Sequence, residues 1–188
     1  MLAGTKGPPV VATIGASAAL GVWAALVVTP MPVLALTCML GWALLVLSLV
    51  DALVFRLPDA LTLPLIAVGL AATAVLPNQD LAGHAIAALV ALALFYAVAA
   101  AYRRARGRDG LGLGDVKLAG AAGAWLGWRA LPFVVLLACG IGLVWVGIAT
   151  IRRGRAGLGE RIPFGVALSF AIWVIWLYGP PDMYGLAP

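Results

Sequence analysis

Residues 33–54 read VLALTCMLGWALLVLSLVDALV, a long apolar run in which Asp51 is the one charged side chain. A helix needs about 20 mostly apolar residues to cross a bilayer, so this run is long enough to span one. Further apolar runs lie on either side of it. The candidate spans are residues 10–29, 33–54, 60–76, 82–102, 115–128, 130–151 and 163–179. The sequence therefore predicts an all-α, polytopic transmembrane helix bundle of about seven spans, organised as a single domain over residues 1–188.

The composition indicates a surface that lipid solvates. The chain has 188 residues, of which 64% are hydrophobic and 10% charged, and its mean hydropathy is +1.11. A soluble domain carries about 25% charged residues, so water cannot be the main solvent here. The net charge of +5 does not indicate nucleic-acid binding, because the basic residues cluster between apolar runs, as in cytoplasmic loops.

Charge placement favours seven crossings with a cytoplasmic N-terminus. All of the 12 Lys and Arg residues except Arg129 then lie on the inside. The short run 115–128 leaves six crossings as the alternative. That alternative would move Arg152, Arg153, Arg155 and Arg161 to the outside. The positive-inside rule therefore favours seven.

Two other features bear on the class of protein. Lys6 before an apolar run could mark residues 1–29 as a signal peptide, but the run is long for one, and an extra N-terminal span over 10–29 is expected instead. Cys38 and Cys139 are distant in sequence and His84 is the one histidine. Without a ligand cluster we expect no metal site and no cofactor, and the thiols are expected to be buried small hydrophobes.

Acidic residues are scarce, and two of them occupy unusual positions. The seven are Asp51, Asp59, Asp80, Asp109, Asp115, Glu160 and Asp182. Asp80 and Asp182 fall in an outer loop and tail, and Asp109 is interpreted as a charge-balancing residue in a basic loop. Asp51 and Asp115 lie at the inner ends of spans, and Asp51 sits within an apolar run, where an ionisable group costs about 2.5–3.5 kcal/mol on insertion scales.

Each of these two aspartates also has a structural interpretation. Asp51 could be a helix-end carboxylate paired with Arg56. Asp115 ends the stretch GLGLGD (110–115) and could be a helix N-cap after a flexible loop. The alternating glycines could alternatively allow positive φ and a close approach of the backbone.

The seven-span topology puts both carboxylates at the cytoplasmic face, where they could meet. Two aspartates a few ångströms apart in low dielectric share a proton, because both cannot ionise. One can then act as general base on a water molecule and the other as general acid. This pairing predicts an aspartic protease that needs no metal.

Several ordered motifs resemble the type IV prepilin peptidases, the GxGD family of intramembrane aspartic proteases. Gly112-Leu113-Gly114-Asp115 with Lys117 matches their GxGDxK motif. Asp51 followed by Leu57-Pro58-Asp59 is similar to their D…LPD segment, and the segment 162–165 (IPFG) resembles the start of their last helix. The resemblance covers roughly residues 44–179.

The resemblance implies an endopeptidase of the bacterial inner membrane that removes basic leader peptides at the cytoplasmic side. Its substrates would be prepilins or pseudopilins with an apolar N-terminal helix. Asp51 and Asp115 would be the catalytic pair. The residues implied to shape the site are Gly112, Gly114, Lys117, Pro163, Phe164 and Gly165. Lys117 could alternatively be a snorkelling helix-end lysine.

The chain departs from the long bacterial enzymes, which carry an N-terminal insert with a zinc-binding cysteine tetrad. N-methylation is therefore not expected, and the chain is similar in size to the short peptidases of tight-adherence pilus systems. Asp59 is a rival for the role of Asp51. The alternative functions are a small proton- or cation-coupled transporter that uses Asp51 and Asp115 as a relay, and a structural scaffold.

Overall fold

A computed structural model describes residues 10–28, 31–76, 79–107, 110–154 and 163–179. Within these ranges the chain carries no strand and forms seven α-helices. They are α1 (Val10–Val27), α2 (Met31–Val54), α3 (Asp59–Val75), α4 (Leu81–Arg106), α5 (Leu113–Leu126), α6 (Leu131–Arg153) and α7 (Phe164–Tyr178). The predicted all-α bundle is confirmed, and the helix bounds follow the predicted spans closely because each apolar run ends at a turn-forming or charged segment.

Among the described residues, three helical segments are long and apolar enough to cross a membrane: Val33–Val54, Leu81–Arg106 and Leu131–Arg153. Three shorter apolar helices accompany them: Ala12–Val27, Asp59–Val75 and Phe164–Tyr178. Many large apolar side chains of the bundle point outward, including Leu143 of α6 at 72% exposure and Ile151 of α6 at 87%. An apolar outer surface of this kind is that of a multi-pass membrane protein.

Contacts at both ends of the bundle give the helix directions. The start of α3 meets the start of α5 through Asp59 and Lys117, and the end of α3 meets the end of α5 through Thr73 and the Ala124 carbonyl. These two helices are therefore parallel. Helix α7 runs antiparallel to α2, since its start contacts Asp51 near the end of α2.

The same directions gather the polar groups at two ends. The carboxylate end contains Asp51 and Asp115, where α2 ends and α3, α5 and α7 begin. The histidine end contains Thr73, His84 and Ala124, where α3 and α5 end and α4 begins. The prediction that Asp51 and Asp115 lie at one end of the bundle thus agrees with the structure.

Helix α5 forms the centre of the fold. Ten of its 14 residues are buried, and they occupy every side of the helix. A Cβ added at Gly123 would lie 2.6 Å from the backbone of Ala87, so only a glycine lets α4 pack this closely. At about 1.5 Å per residue, α5 is shorter than a bilayer core, and its crossing stays a prediction.

The turn after α2 brings a buried side chain beneath α5. Phe55 has a φ of 53°, which is unusual for a residue other than glycine. Its N–H donates to the Asp51 carbonyl at 2.8 Å and ends the helix. The chain then turns toward α3, and Leu57 becomes buried between the starts of α5 and α7.

Candidate active site

Asp51 lies in the last turn of α2 and is only 5% exposed. Its Oδ2 accepts a hydrogen bond from the backbone N–H of Val166 at 3.2 Å. Val166 belongs to the first turn of α7, where backbone N–H groups have no partner inside the helix. A helix N-terminus favours a negatively charged group, so α7 both holds and stabilises this carboxylate. The pairing of Asp51 with Arg56 is not the arrangement found.

Gly165 allows this contact. A Cβ added to Gly165 would lie 2.7 Å from Asp51 Oδ2 and 2.9 Å from Leu57 Cδ1. Real Cβ atoms do not approach a carboxylate oxygen that closely, so any other residue would push Asp51 away. That Gly165 shapes an active site stays a prediction.

Asp115 is the third residue of α5 and is 8% exposed. Its N–H donates to the carbonyl of Gly112 at 3.1 Å. Gly112, and not Asp115, is the N-cap of α5, so the N-cap interpretation of Asp115 is wrong. Within the part of the chain that the structure describes, Asp115 Oδ1 is buried and has no hydrogen-bond partner.

The glycines before Asp115 serve close packing. Gly112 has a φ of −70°, and Gly110 and Gly114 are also absent from the residues with positive φ. The expectation of positive φ is therefore wrong. A Cβ at Gly112 would lie 3.3 Å from Asp115 Oδ2, and one at Gly114 would lie 2.6 Å from Leu57 Cβ. The glycines make room for the carboxylate and for Leu57.

Leu57 connects the two aspartates. It packs against Gly165 at the start of α7 and against Gly114 at the start of α5. Asp51 lies beside the first glycine and Asp115 directly follows the second. The two carboxylates are near enough to interact electrostatically. Residues 64 positions apart in sequence are thus brought into one buried cluster.

Lys117 and Asp59 form an ion pair, with Nζ 2.5 Å from Oδ1. Their side chains are 27% and 61% exposed. Asp59 therefore lies in an open, paired environment, which contrasts with the burial of Asp51 and argues against it as a rival. Lys117 ties the start of α5 to the start of α3, two residues beyond Asp115.

The remaining predicted residues begin α7. Pro163 is its N-cap, and its carbonyl shares the Val166 N–H at 3.2 Å. Phe164 is partly buried against the core. Ile162 of the same motif lies outside the described residues, as do Asp109 and Asp182. Asp80 is the N-cap of α4 at the histidine end, away from the cluster.

Leu57 and the Val166 N–H are the parts of the site that sequence reasoning missed. Leu57 lies inside the LPD segment but is chemically inert, so its type gave no signal. Every residue except proline has a backbone N–H, so the sequence could not show that the N–H of Val166 bonds to Asp51.

The described residues offer no side-chain cluster suited to a metal ion. They contain no group of three or more His, Cys, Asp or Glu side chains that could hold a metal ion. The two cysteines are free. Cys38 is partly buried, but Cys139 is exposed on the bundle surface, so the expectation that both thiols are buried is wrong for Cys139.

Fold and site together define a class: multi-pass helical membrane proteins with two buried aspartates at one end of the bundle. Residues 38–147 match the type IV leader peptidase family. The chain belongs to this family. That match agrees with the resemblance noted from the motifs and gives no support to the transporter alternative.

Three relatives illustrate the similarity, and each is named a prepilin leader peptidase/N-methyltransferase. The protein of Aeromonas salmonicida strain A449 is 37% identical over 141 residues, 75% of this chain and 48% of the relative. That of Pseudomonas aeruginosa is 36% identical over 141 residues, with the same coverage. That of Burkholderia pseudomallei strain K96243 is 38% identical over 139 residues, 74% of this chain and 45% of the relative.

The chain spans about half the length of the curated relatives it matches. No solved structure matches it.

Proposed function

We propose that this protein is a membrane-embedded aspartic endopeptidase that cleaves the basic leader from prepilin or pseudopilin substrates. Asp51 and Asp115 are its catalytic residues. One observation carries the proposal: helices distant in sequence bring two buried carboxylates together at one end of an apolar bundle. Burying charge is costly, and a fold without a use for the pair would lose nothing by replacing it.

The chemistry follows from the pairing. One carboxylate accepts a proton from a water molecule, whose oxygen attacks the carbonyl carbon of the scissile peptide bond. The protonated partner gives its proton to the carbonyl oxygen. When the resulting intermediate collapses, the C–N bond breaks, the leaving amine takes up the proton that the first carboxylate removed from water, and a hydroxyl of the intermediate returns a proton to the partner. The products are a leader with a new carboxylate and a pilin with a new N-terminus.

The surrounding residues have positioning roles in this proposal. The Val166 N–H holds Asp51, and Gly165 keeps room for its carboxylate. Gly112 keeps room for the Asp115 carboxylate, and Gly114 keeps room for Leu57. Lys117, Pro163 and Phe164 fix the starts of α5 and α7. The unpartnered Asp115 Oδ1 is left available for water or substrate.

Orientation is part of the proposal: the carboxylate end faces the cytoplasm of a bacterial inner membrane. Cysteines at positions 106, 155 and 182, in a background lacking Cys38 and Cys139, can be labelled from the periplasm with an impermeant reagent. Positions 155 and 182 lie outside the described residues. Only position 182 should react in intact cells. Reaction at 155 without reaction at 106 would mean that α5 does not cross.

The activity itself is tested with membranes that contain the protein and a prepilin with a basic leader and an apolar helix. A peptidase shortens the prepilin by the mass of the leader, and mass spectrometry locates the new N-terminus. A transporter leaves the prepilin intact, and that result would overturn the proposal.

A further inference from the structure

One face of α7 connects the candidate active site with the interior of the bundle. Gly165, Ser169 and Trp173 recur every four residues and therefore share this face. Gly165 lies against the Asp51 carboxylate, and the Trp173 ring lies against Gly41 of α2, where an added Cβ would be 2.6 Å from Cζ3. Ser169 lies between them, so it faces α2 one helical turn of α7 beyond the contact of Gly165 with Asp51.

The Ser169 hydroxyl is buried and lacks a partner. The residue is 2% exposed, and among the described residues nothing hydrogen-bonds its Oγ. Other helical hydroxyls in this chain donate to the carbonyl four residues earlier: Thr37 to Val33 at 2.7 Å and Thr73 to Gly69 at 2.9 Å. Ser169 does not do so. A buried polar atom without a partner is rare and calls for a bound group.

The distances suit one water molecule. Helical side chains lean toward the N-terminus of their helix, so Ser169 leans toward Gly165. Asp51 Oδ2 lies 2.7 Å from the Cβ position of Gly165. The Cβ positions of residues four apart in a helix lie about 5–6 Å from each other, so Ser169 Oγ and Asp51 Oδ2 are neighbours on the scale of two O–H···O hydrogen bonds of about 2.7 Å each. A single bridging water therefore fits between Ser169 and Asp51.

We propose that Ser169 is a positioning residue, which holds a water molecule hydrogen-bonded to the Asp51 carboxylate from its buried side. This inference rests on the proposed peptidase function. With the Val166 N–H on one side and this water on the other, the carboxylate is fixed in the orientation that faces Asp115. Among the described residues, Trp173 Nε1, one turn further along the same face, is also buried without a partner.

The test compares Ser169→Ala with Ser169→Gly in leader cleavage. Alanine removes the hydroxyl and leaves too little room for a second water, so kcat should fall by roughly 10- to 100-fold, as for a misplaced catalytic group. KM should not change, because buried Ser169 cannot touch the substrate.

Glycine leaves room for a second water in place of the hydroxyl and should recover most of kcat, although glycine weakens the helix. Thr73→Val, which removes a buried hydroxyl at the histidine end, is the matched control and should keep kcat.

Two results would overturn the inference. Ser169→Ala with wild-type kcat and a raised melting temperature would show that the hydroxyl is simply unpartnered. A greater loss of kcat in Ser169→Gly than in Ser169→Ala, in step with their melting temperatures, would show a packing role. In both cases the wild-type protein still cleaves, so the proposed function stands. Failure of the wild-type protein to cleave would remove both proposals together.

Discussion

The two ends of the bundle treat their buried polar groups differently. At the histidine end, the Ala124 carbonyl lies 3.3 Å from Thr73 Oγ1 and 3.1 Å from His84 Nδ1. A carbonyl can only accept, so Nδ1 carries the hydrogen. The indole Nε1 of Trp125 donates to the Leu65 carbonyl at 2.9 Å. The His84 and Trp125 bonds join α3, α4 and α5, and the Thr73 hydroxyl donates to the Gly69 carbonyl at 2.9 Å.

At the carboxylate end, a buried polar atom has no hydrogen-bond partner among the described residues. Asp51 is held by backbone N–H groups at the start of α7, whereas Asp115 Oδ1 is buried with no partner in the described chain. Polar groups that join helices gain stability by pairing with one another, and an unpaired one costs stability. The difference supports the proposal that the histidine end serves cohesion and the carboxylate end serves chemistry.

The largest expected effect is the loss of either carboxylate. Asp51→Ala and Asp115→Ala should each abolish leader cleavage, because one carboxylate cannot serve as both base and acid. Both proteins should still accumulate in the membrane, as measured by immunoblotting of membrane fractions. Asp59→Ala is the matched control and should keep its activity, since Asp59 is 61% exposed. Clear residual cleavage by one variant would remove that residue from the catalytic role.

A smaller loss is expected when the Asp51 carboxylate is displaced and not removed. Gly165→Ala puts a Cβ 2.7 Å from Asp51 Oδ2, and overpacking of this kind costs about 1–3 kcal/mol. We expect at least a tenfold decrease in kcat. Gly140→Ala on α6 is the control, because an added Cβ there meets nothing within 4 Å. Equal kcat values for the two variants would contradict the close contact at α7.

The histidine end should respond in stability and not in cleavage. His84→Ala removes a partner of the Ala124 carbonyl, which should cost about 1–3 kcal/mol and lower the melting temperature of the purified protein in detergent. Leader cleavage at a temperature below both transitions should stay within about twofold. A large fall in kcat without a fall in melting temperature would erase the distinction between the two ends.

The smallest effect is expected at the Lys117–Asp59 pair, which lies at the carboxylate end but is exposed. Surface ion pairs contribute about 0–1 kcal/mol, so Lys117→Met should change kcat by less than about fivefold. Added salt should reduce the difference between the variant and wild type. A complete loss of cleavage in Lys117→Met would mean that Lys117 takes part in the chemistry.

The sequence predicted the positions of the helices better than which side of each helix faces the core. Apolar runs predicted the seven helices, because an apolar run bounded by charged or turn-forming residues is a strong signal. In a lipid-solvated protein, however, residues that face lipid and residues that face the core are both apolar. Periodicity therefore could not show that α5 is buried on all sides or that Leu143 of α6 faces outward.

The site was predictable where residue type carries the chemistry. Asp51 and Asp115 were singled out because carboxylates are scarce in this apolar chain and these two lie at the inner ends of its spans, whereas Gly165 was implied only by the resemblance of residues 162–165 to the family's motif. The Val166 N–H, Leu57 and Ser169 were not, since a backbone donor, a leucine and a lone serine look ordinary in sequence. Their roles come from the packing of α7 against α2 and α5.

The most direct measurement is leader cleavage by a mixture of two inactive variants. Asp51→Asn and Asp115→Asn, purified separately and combined in equal amounts in proteoliposomes, each retain one carboxylate. Because α2 and α5 of a single chain bring Asp51 and Asp115 together, the mixture should be as inactive as either variant, whereas the wild-type protein cuts the leader-bearing prepilin. Recovered cleavage in the mixture, or cleavage by one variant alone, would contradict a catalytic pair formed within one chain.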